Sequence, residues 1–190
     1  MQARRYVLGL TIATILVSIV FASVFVYYPG IVQVSPVRPP IIFTEGSNSN
    51  QRDLNGATIT TTIDSTNTSA SIALHPTYQR TYYRDVLRIK NQDSEVYYVK
   101  VNVVSTITGG NIVSAKIHVY SGAVKVGEID LLTTGLQPDN WITLNGGEEL
   151  RVDLEFRYAT TGGSHDTAPP GSGTISLELV YSTVNNETPP

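Results

Sequence analysis

Apolar and polar residues alternate along most of the chain after residue 56, and this alternation predicts strands. In residues 148–159, Leu150, Val152, Leu154 and Phe156 fall on one side, and charged residues fall on the other. A period of two is that of a β-strand with one buried face. The same pattern, or a β-branched composition, marks residues 57–63, 69–74, 81–91, 95–106, 112–121, 123–132, 141–144 and 173–183. No segment after residue 30 has the period of a helix.

Turn residues separate these segments at intervals of roughly 8–15 residues, which is typical of sandwiches and barrels. Examples are Ser121-Gly122 and Asn145-Gly146-Gly147. Each alternating segment has an apolar face that needs a second sheet to cover it. The pattern predicts an all-β fold over residues 57–183, a two-sheet sandwich of the jelly-roll or immunoglobulin-like type. Residues 184–190 are predicted to be a disordered tail.

The N-terminus carries a different pattern. Arg4 and Arg5 precede an uncharged apolar run over residues 6–28. As a helix this run would span about 34 Å, enough to cross a bilayer. Ala22 also ends a plausible signal-peptidase site, with cleavage before Ser23. Residues 1–22 are therefore predicted to be a cleaved signal peptide or a membrane anchor helix, and both alternatives place the rest of the chain at the cell surface or outside the cell.

Residues 23–56 are predicted to be an extended donor strand and a linker, and four prolines exclude a helix over residues 29–56. The first part is apolar and β-branched, and such a strand aggregates unless it pairs. It can fold back on its own domain, or it can complete the sheet of a neighbouring subunit by strand addition. Strand addition from subunit to subunit is head-to-tail and builds a filament. The expected donor-strand side chains are Val24, Val26, Tyr28, Ile31 and Val34.

Composition limits the number of domains and excludes several kinds of site and partner. About 160 residues follow the apolar run, enough for one domain with a real core. The absence of cysteine excludes disulfides and thiolate metal sites. The net charge is −3, and no basic patch suits nucleic acid, so none is expected as a partner.

The sequence offers no recognisable catalytic or metal site. Its three histidines lack metal-ligand spacing and are expected to be surface polar residues. They are His75, His118 and His165. The acidic residues near turns match no known calcium-binding spacing. They are Asp139, Glu148, Glu149 and Asp166. We therefore expect no enzyme activity, no cofactor and no bound metal.

Three other positions carry predictions. Asn67 and Asn186 each begin an N-x-[ST] sequon, and both are predicted to be exposed glycosylation sites. Trp141, at the start of a strand, is expected to anchor the core or its rim.

Two stretches carry a family resemblance. Residues 81–105 form a strand that ends in Asn, then a turn, then a strand rich in Tyr and Val; residues 141–158 place a Gly-Glu turn before an alternating strand. With the N-terminal signal, they resemble the archaeal bundling pilins, which are similar to the bacterial TasA/camelysin biofilm-fibre proteins. The resemblance implies jelly-roll subunits joined by donor-strand complementation into extracellular filaments that bundle cells.

The expected function is therefore a structural subunit of an extracellular pilus, a homopolymer with bundling contacts between filaments, acting in adhesion or biofilm formation. One alternative is a type IV-like pilin, in which residues 6–28 form a helix in the filament centre. Another is a monomeric envelope protein, anchored by that helix, whose β-sandwich binds partners.

Overall fold

The structure, a computed structural model, describes residues 30, 33, 35, 37–53, 56–76, 80–107, 112–159 and 173–187. The chain divides into two units, Met1–Val37 and Arg38–Pro190. All the strands described below lie in the second unit.

The second unit is built from ten strands. They are β1 (Ile41–Glu45), β2 (Thr60–Ile63), β3 (Ala70–Ala73), β4 (Thr81–Asn91), β5 (Tyr97–Ser105), β6 (Ile112–Ser121), β7 (Val124–Asp130), β8 (Gly135–Leu144), β9 (Glu149–Tyr158) and β10 (Ser176–Ser182). All pairings are antiparallel. A five-stranded sheet has the order β1-β4-β9-β6-β7, a three-stranded sheet the order β10-β5-β8, and β2 and β3 form a hairpin. The expectation of an all-β fold is confirmed, and the arrangement is consistent with a sandwich.

One apolar core joins the two larger sheets. From the five-stranded sheet, Leu150, Val152 and Leu154 of β9 are buried, as the alternation predicted. From the three-stranded sheet, the core contains Val99 and Val103 of β5. The β2–β3 hairpin adds apolar side chains at the edge of this core. Burial of these alternating faces is the main favourable contribution to folding.

Strand β1 lies inside the segment 23–56, which the sequence pattern assigned to a donor strand and a linker. It pairs with β4 over its whole length, from Ile41 opposite Asn91 to Glu45 opposite Leu87. Ile41 and Ile42 are buried. The sandwich therefore begins before residue 57. The strand is short and follows two prolines, so it shows no alternation that would reveal it.

Strand β8 is longer than the predicted strand 141–144, since its pairing with β5 resumes beyond a bulge and continues to Gly135. Trp141 does not belong to the core. It is half-buried on the outer face of the three-stranded sheet, where the Nζ of Lys100 lies 5.1 Å from its ring centroid. In the described part of the predicted tail, Glu187 accepts a hydrogen bond from the Ser182 hydroxyl; residues 188–190 lie outside the described part.

Asn91, the last residue of β4, joins the two turns that carry the family resemblance. Its side-chain amide donates to the carbonyl oxygens of Glu95 and Asn145, at 2.7 and 3.0 Å. Gly146 packs so tightly there that a Cβ would lie 2.3 Å from the carbonyl oxygen of Ser94. The asparagine and the glycine of these turns therefore have structural roles.

Candidate functional site

The five expected donor-strand side chains, Val24, Val26, Tyr28, Ile31 and Val34, all lie outside the described residues. Their role stays a prediction. The structure does describe an unpaired strand edge in the sandwich.

Strand β10 forms one edge of the three-stranded sheet. It pairs with β5 on one side, and no strand pairs with its other side within the described ranges. An unpaired edge presents a row of backbone N–H and C=O groups to an incoming strand. Proteins normally protect such an edge or use it for strand addition.

The inward face of β10 is only partly covered. Leu177 lies opposite Val103 and Tyr181 lies opposite Val99, so these β10 side chains share the face that forms the core. Val99 and Val103 are each 1% exposed, whereas Leu177 and Tyr181 are each 42% exposed. The ring of Tyr181 packs edge-on against Tyr97, at 5.9 Å between centroids. The apolar layer therefore reaches the edge of the sheet and remains open there.

The opposite end of the sandwich, between β7 and β8, is bridged. The side-chain amide of Gln137 in β8 donates to the carbonyl oxygen of Asp130 in β7, and its oxygen accepts the Asp130 N–H. Ile142 packs over Gly127, where a Cβ would meet its side chain at 2.4 Å. The exposed apolar edge of the three-stranded sheet is thus at β10 and not at β8.

A second feature lies on the outer face of the five-stranded sheet, where β4 bulges. Tyr83 pairs with Leu154 and Leu87 pairs with Val152, so three residues of β4 lie opposite Asp153. Asp85, within the bulge, has a φ of 50°, which is uncommon for a residue other than glycine.

The Asp153 carboxylate holds this bulge in place. Asp153 is fully buried, although the alternation placed it on the polar side of β9. It accepts hydrogen bonds from the Asp85 N–H at 2.7 Å, the Tyr82 hydroxyl at 2.7 Å and the Arg151 Nε at 3.0 Å. Burial, and then the hydrogen bonds with Tyr120 and Asp153, raise the pKa of Tyr82 far above its usual range.

His118 is not the surface residue that the sequence suggested. It is 6% exposed and lies on the same outer face, stacked against Tyr82 with 5.8 Å between ring centroids. Its Nε2 is 3.1 Å from Glu155, and its Nδ1 is 3.4 Å from Glu128. A hydrogen bond from Lys116 lowers the pKa of Glu128 to about 2. The polar contacts of this cluster connect β6 to β7 through Glu128 and β6 to β9 through Glu155.

The remaining predicted positions fall on the surface or in ion pairs. His75 is exposed, with its Nδ1 3.5 Å from Asp53. Asp139 is exposed, Glu148 accepts a hydrogen bond from Ser121, and Glu149 pairs with Lys90. His165 and Asp166 lie outside the described residues.

Both predicted glycosylation sites are exposed. Asn67 lies in the β2–β3 turn, with a φ of 60°. A hydrogen bond from the Thr66 hydroxyl, with backbone bonds from Ser69 and its neighbours, lowers the pKa of Asp64 to about 2 and fixes this turn. Asn186 is exposed beyond β10.

Among the described residues, no three His, Cys, Asp or Glu side chains are placed to hold a metal ion. That part of the chain also contains no helix with the length and apolar character needed to span a membrane. A comparison with protein-family models found no match to this chain, and a comparison with curated proteins found no significant one.

Proposed function

We propose that this chain is a structural subunit of an extracellular filament, and that it polymerises head to tail by donor-strand complementation. The N-terminal strand of one subunit pairs with the free edge of β10 in the next. The product is a homopolymer at the cell surface, and each of its subunits is a sandwich of the jelly-roll type.

The single observation that carries this proposal is the open, half-covered edge of β10. A strand added there gains backbone hydrogen bonds, each worth about 0.5–1.5 kcal/mol net. It also covers Leu177 and Tyr181, which are each 42% exposed. Because full burial of a large apolar side chain is worth about 1.5–3 kcal/mol, covering the remainder of these two contributes about 2 kcal/mol in total.

The sequence supplies a matching donor. Residues 24–35 are apolar and β-branched, and they precede the sandwich. Val24 and Val26 are two residues apart, so in a strand they face the same side and can pack beside Leu177 or Tyr181. Without cysteines, the chain has no disulfide to stabilise it outside the cell, and contacts between subunits are a suitable replacement.

The resemblance to the archaeal bundling pilins, similar to TasA/camelysin fibres, supports the same function. By that likeness, the filaments act in cell adhesion or biofilm formation, with lateral contacts that bundle them. Glycans on Asn67 and Asn186 would lie on the exposed surface.

A substitution in the donor strand tests the proposal. Val26→Asp places a carboxylate where the neighbour's apolar layer would bury it, so we expect filaments to be lost while the sandwich stays folded. Gln33→Asp, in the same segment, is the matched control, because it replaces one polar residue with another. Normal filaments from Val26→Asp, seen by negative-stain electron microscopy, would refute the donor role.

A membrane-anchored ectodomain is a second candidate, favoured by the length of the apolar run over residues 6–28. Mass spectrometry of the N-terminus in surface material separates the two. A start at Ser23 in sheared filaments supports the secreted subunit, and an intact Met1 in the membrane fraction supports the anchor.

A further inference from the structure

The outer face of the five-stranded sheet contains a pocket beside the β4 bulge. Its volume is about 600 Å³, within the range of small-molecule sites. The residues that line it include Ser47, Asn48, Arg84, Arg88, Glu149 and Arg151. This pocket lies on the opposite side of the five-stranded sheet from the core, and the proposed strand addition does not use it.

The three arginines of the pocket differ in what they bind. The guanidinium of Arg88 is fully engaged, since all three of its nitrogens donate to Asp85 or Glu149. Arg151 uses only its Nε, on Asp153, and its guanidinium lies 4.2 Å from the ring centroid of Tyr120.

Arg151 and Arg84 therefore have guanidinium N–H groups that are available to a ligand. No acceptor for the two terminal amino groups of Arg151 lies among the described residues. The side chain of Arg84 is exposed and makes no ion pair in the same part of the chain. Arginine donors without a partner are suited to bind an anion in a bidentate manner.

The carboxylates near the pocket do not accept hydrogen bonds from these N–H groups. Asp85 and Glu149 accept hydrogen bonds from Arg88. Asp153 accepts from the Nε of Arg151 and not from its terminal amino groups. The lining of the pocket contains three arginines and two carboxylates, so its local charge is +1 in a chain whose net charge is −3.

The backbone beside this pocket is strained. Asp85 has a φ of 50°. Gly46 approaches it so closely that a Cβ would lie 2.0 Å from the Asp85 carbonyl oxygen. The side-chain amide of Asn48 donates to the carbonyl oxygen of Arg84 at 2.7 Å and fixes the loop on the bulge. Bulges commonly redirect side chains next to binding sites, and strain of this kind tends to collect there.

We propose that this pocket binds an acidic saccharide unit, a sugar that carries a carboxylate. Arg84 and Arg151 donate hydrogen bonds to the carboxylate. The Asn48 side-chain oxygen accepts from a sugar hydroxyl. The lining combines arginine donors with the uncharged hydrogen-bonding groups of Ser47 and Asn48, and a sugar acid offers a carboxylate to the first and hydroxyls to the second.

Nuclear magnetic resonance titration of the full-length chain in a nonionic detergent tests this proposal. The probes are sodium D-glucuronate, glucose and sodium acetate, at matched ionic strength with sodium chloride. We expect saturable shifts of the Asn48 and Arg84 amides with glucuronate, weaker shifts with acetate and none with glucose. Absence of saturable glucuronate binding would overturn the proposal. Acetate binding as tight as glucuronate binding would overturn the assignment to a saccharide.

Two variants locate the binding. Arg84→Gln should weaken glucuronate binding at least about tenfold, the loss expected for one charge-assisted hydrogen bond. Because its side chain is exposed, the variant should fold as the wild type does, and circular dichroism checks this. Arg157→Gln, an exposed arginine of β9 that does not line the pocket, should bind normally. Unchanged affinity of Arg84→Gln would contradict the proposed site.

Discussion

Replacing Leu177 with aspartate is expected to stop assembly and to leave the domain folded. Leu177 lies on the inward face of β10, yet 42% of it is exposed. Its contribution to folding is therefore only part of the value for a buried leucine, and the substitution should lower the free energy of unfolding by about 1 kcal/mol. The sandwich should survive this loss.

The cost to assembly is much larger. A donor strand on β10 would cover the new carboxylate with apolar side chains, and an unpaired buried charge costs several kcal/mol. If this cost is about 4 kcal/mol, the affinity between subunits falls about a thousandfold. Protonation of the carboxylate at low pH should restore part of the affinity.

Sedimentation of assembled material, with circular dichroism of the soluble fraction, measures both effects. Val104→Asp is the matched control. Val104 is 50% exposed and lies on the outer face of the same sheet, so the control introduces the same charge away from the proposed contact. Assembly of Leu177→Asp at the wild-type level, or equal loss in both variants, would refute the role of β10.

Three further predictions concern the buried Asp153, the Lys116–Glu128 pair and the Asn67 sequon. Asp153→Ala should lower the free energy of unfolding by about 3 kcal/mol or more, because it leaves buried donors and Arg151 without their carboxylate; a loss below about 1 kcal/mol, measured by urea unfolding, would disagree. Because Lys116 lowers the pKa of Glu128 to about 2, from an unfolded value near 4.5, this pair stabilises the fold above about pH 4.5 and the stabilisation is lost as the pH falls toward 2. The melting temperature of Glu128→Gln should therefore fall less than that of the wild type between about pH 7 and about pH 3. An equal fall in both proteins would count against the pair. Asn67→Gln, produced in a host that glycosylates, should lack one glycan by mass spectrometry, whereas an unchanged glycan mass would show that Asn67 carries none.

The sequence alone predicted long strands well. The bounds of β4 and β6 match the predicted segments 81–91 and 112–121, because each is a long segment rich in β-branched and aromatic residues. The buried face of β9 followed from the same period of two. Strand β1 was not recognised, since five residues next to prolines give too short a pattern.

A single sequence does not predict features that depend on neighbouring strands. The burial of Asp153 and His118 comes from side chains of other strands, such as Tyr82, that cover a nominally polar face. The exposure of Leu177 follows from the position of β10 at the edge of its sheet, which alternation does not reveal. The adjacent pair Asp85-Val86 does interrupt the alternation of β4, and this was the available signal for the bulge.

Disulfide cross-linking tests the central claim most directly, because the chain has no cysteine of its own. A double variant with Val26→Cys and Leu177→Cys is assembled, oxidised and run on a non-reducing gel. A disulfide requires Cα atoms within about 7 Å, so bonds form only if the two segments pair. Neighbouring positions on the donor, such as Val24→Cys and Tyr28→Cys, cover a shift in register. Strand addition between subunits predicts a ladder of covalent oligomers, and a cross-linked monomer or no cross-link at any position would contradict it.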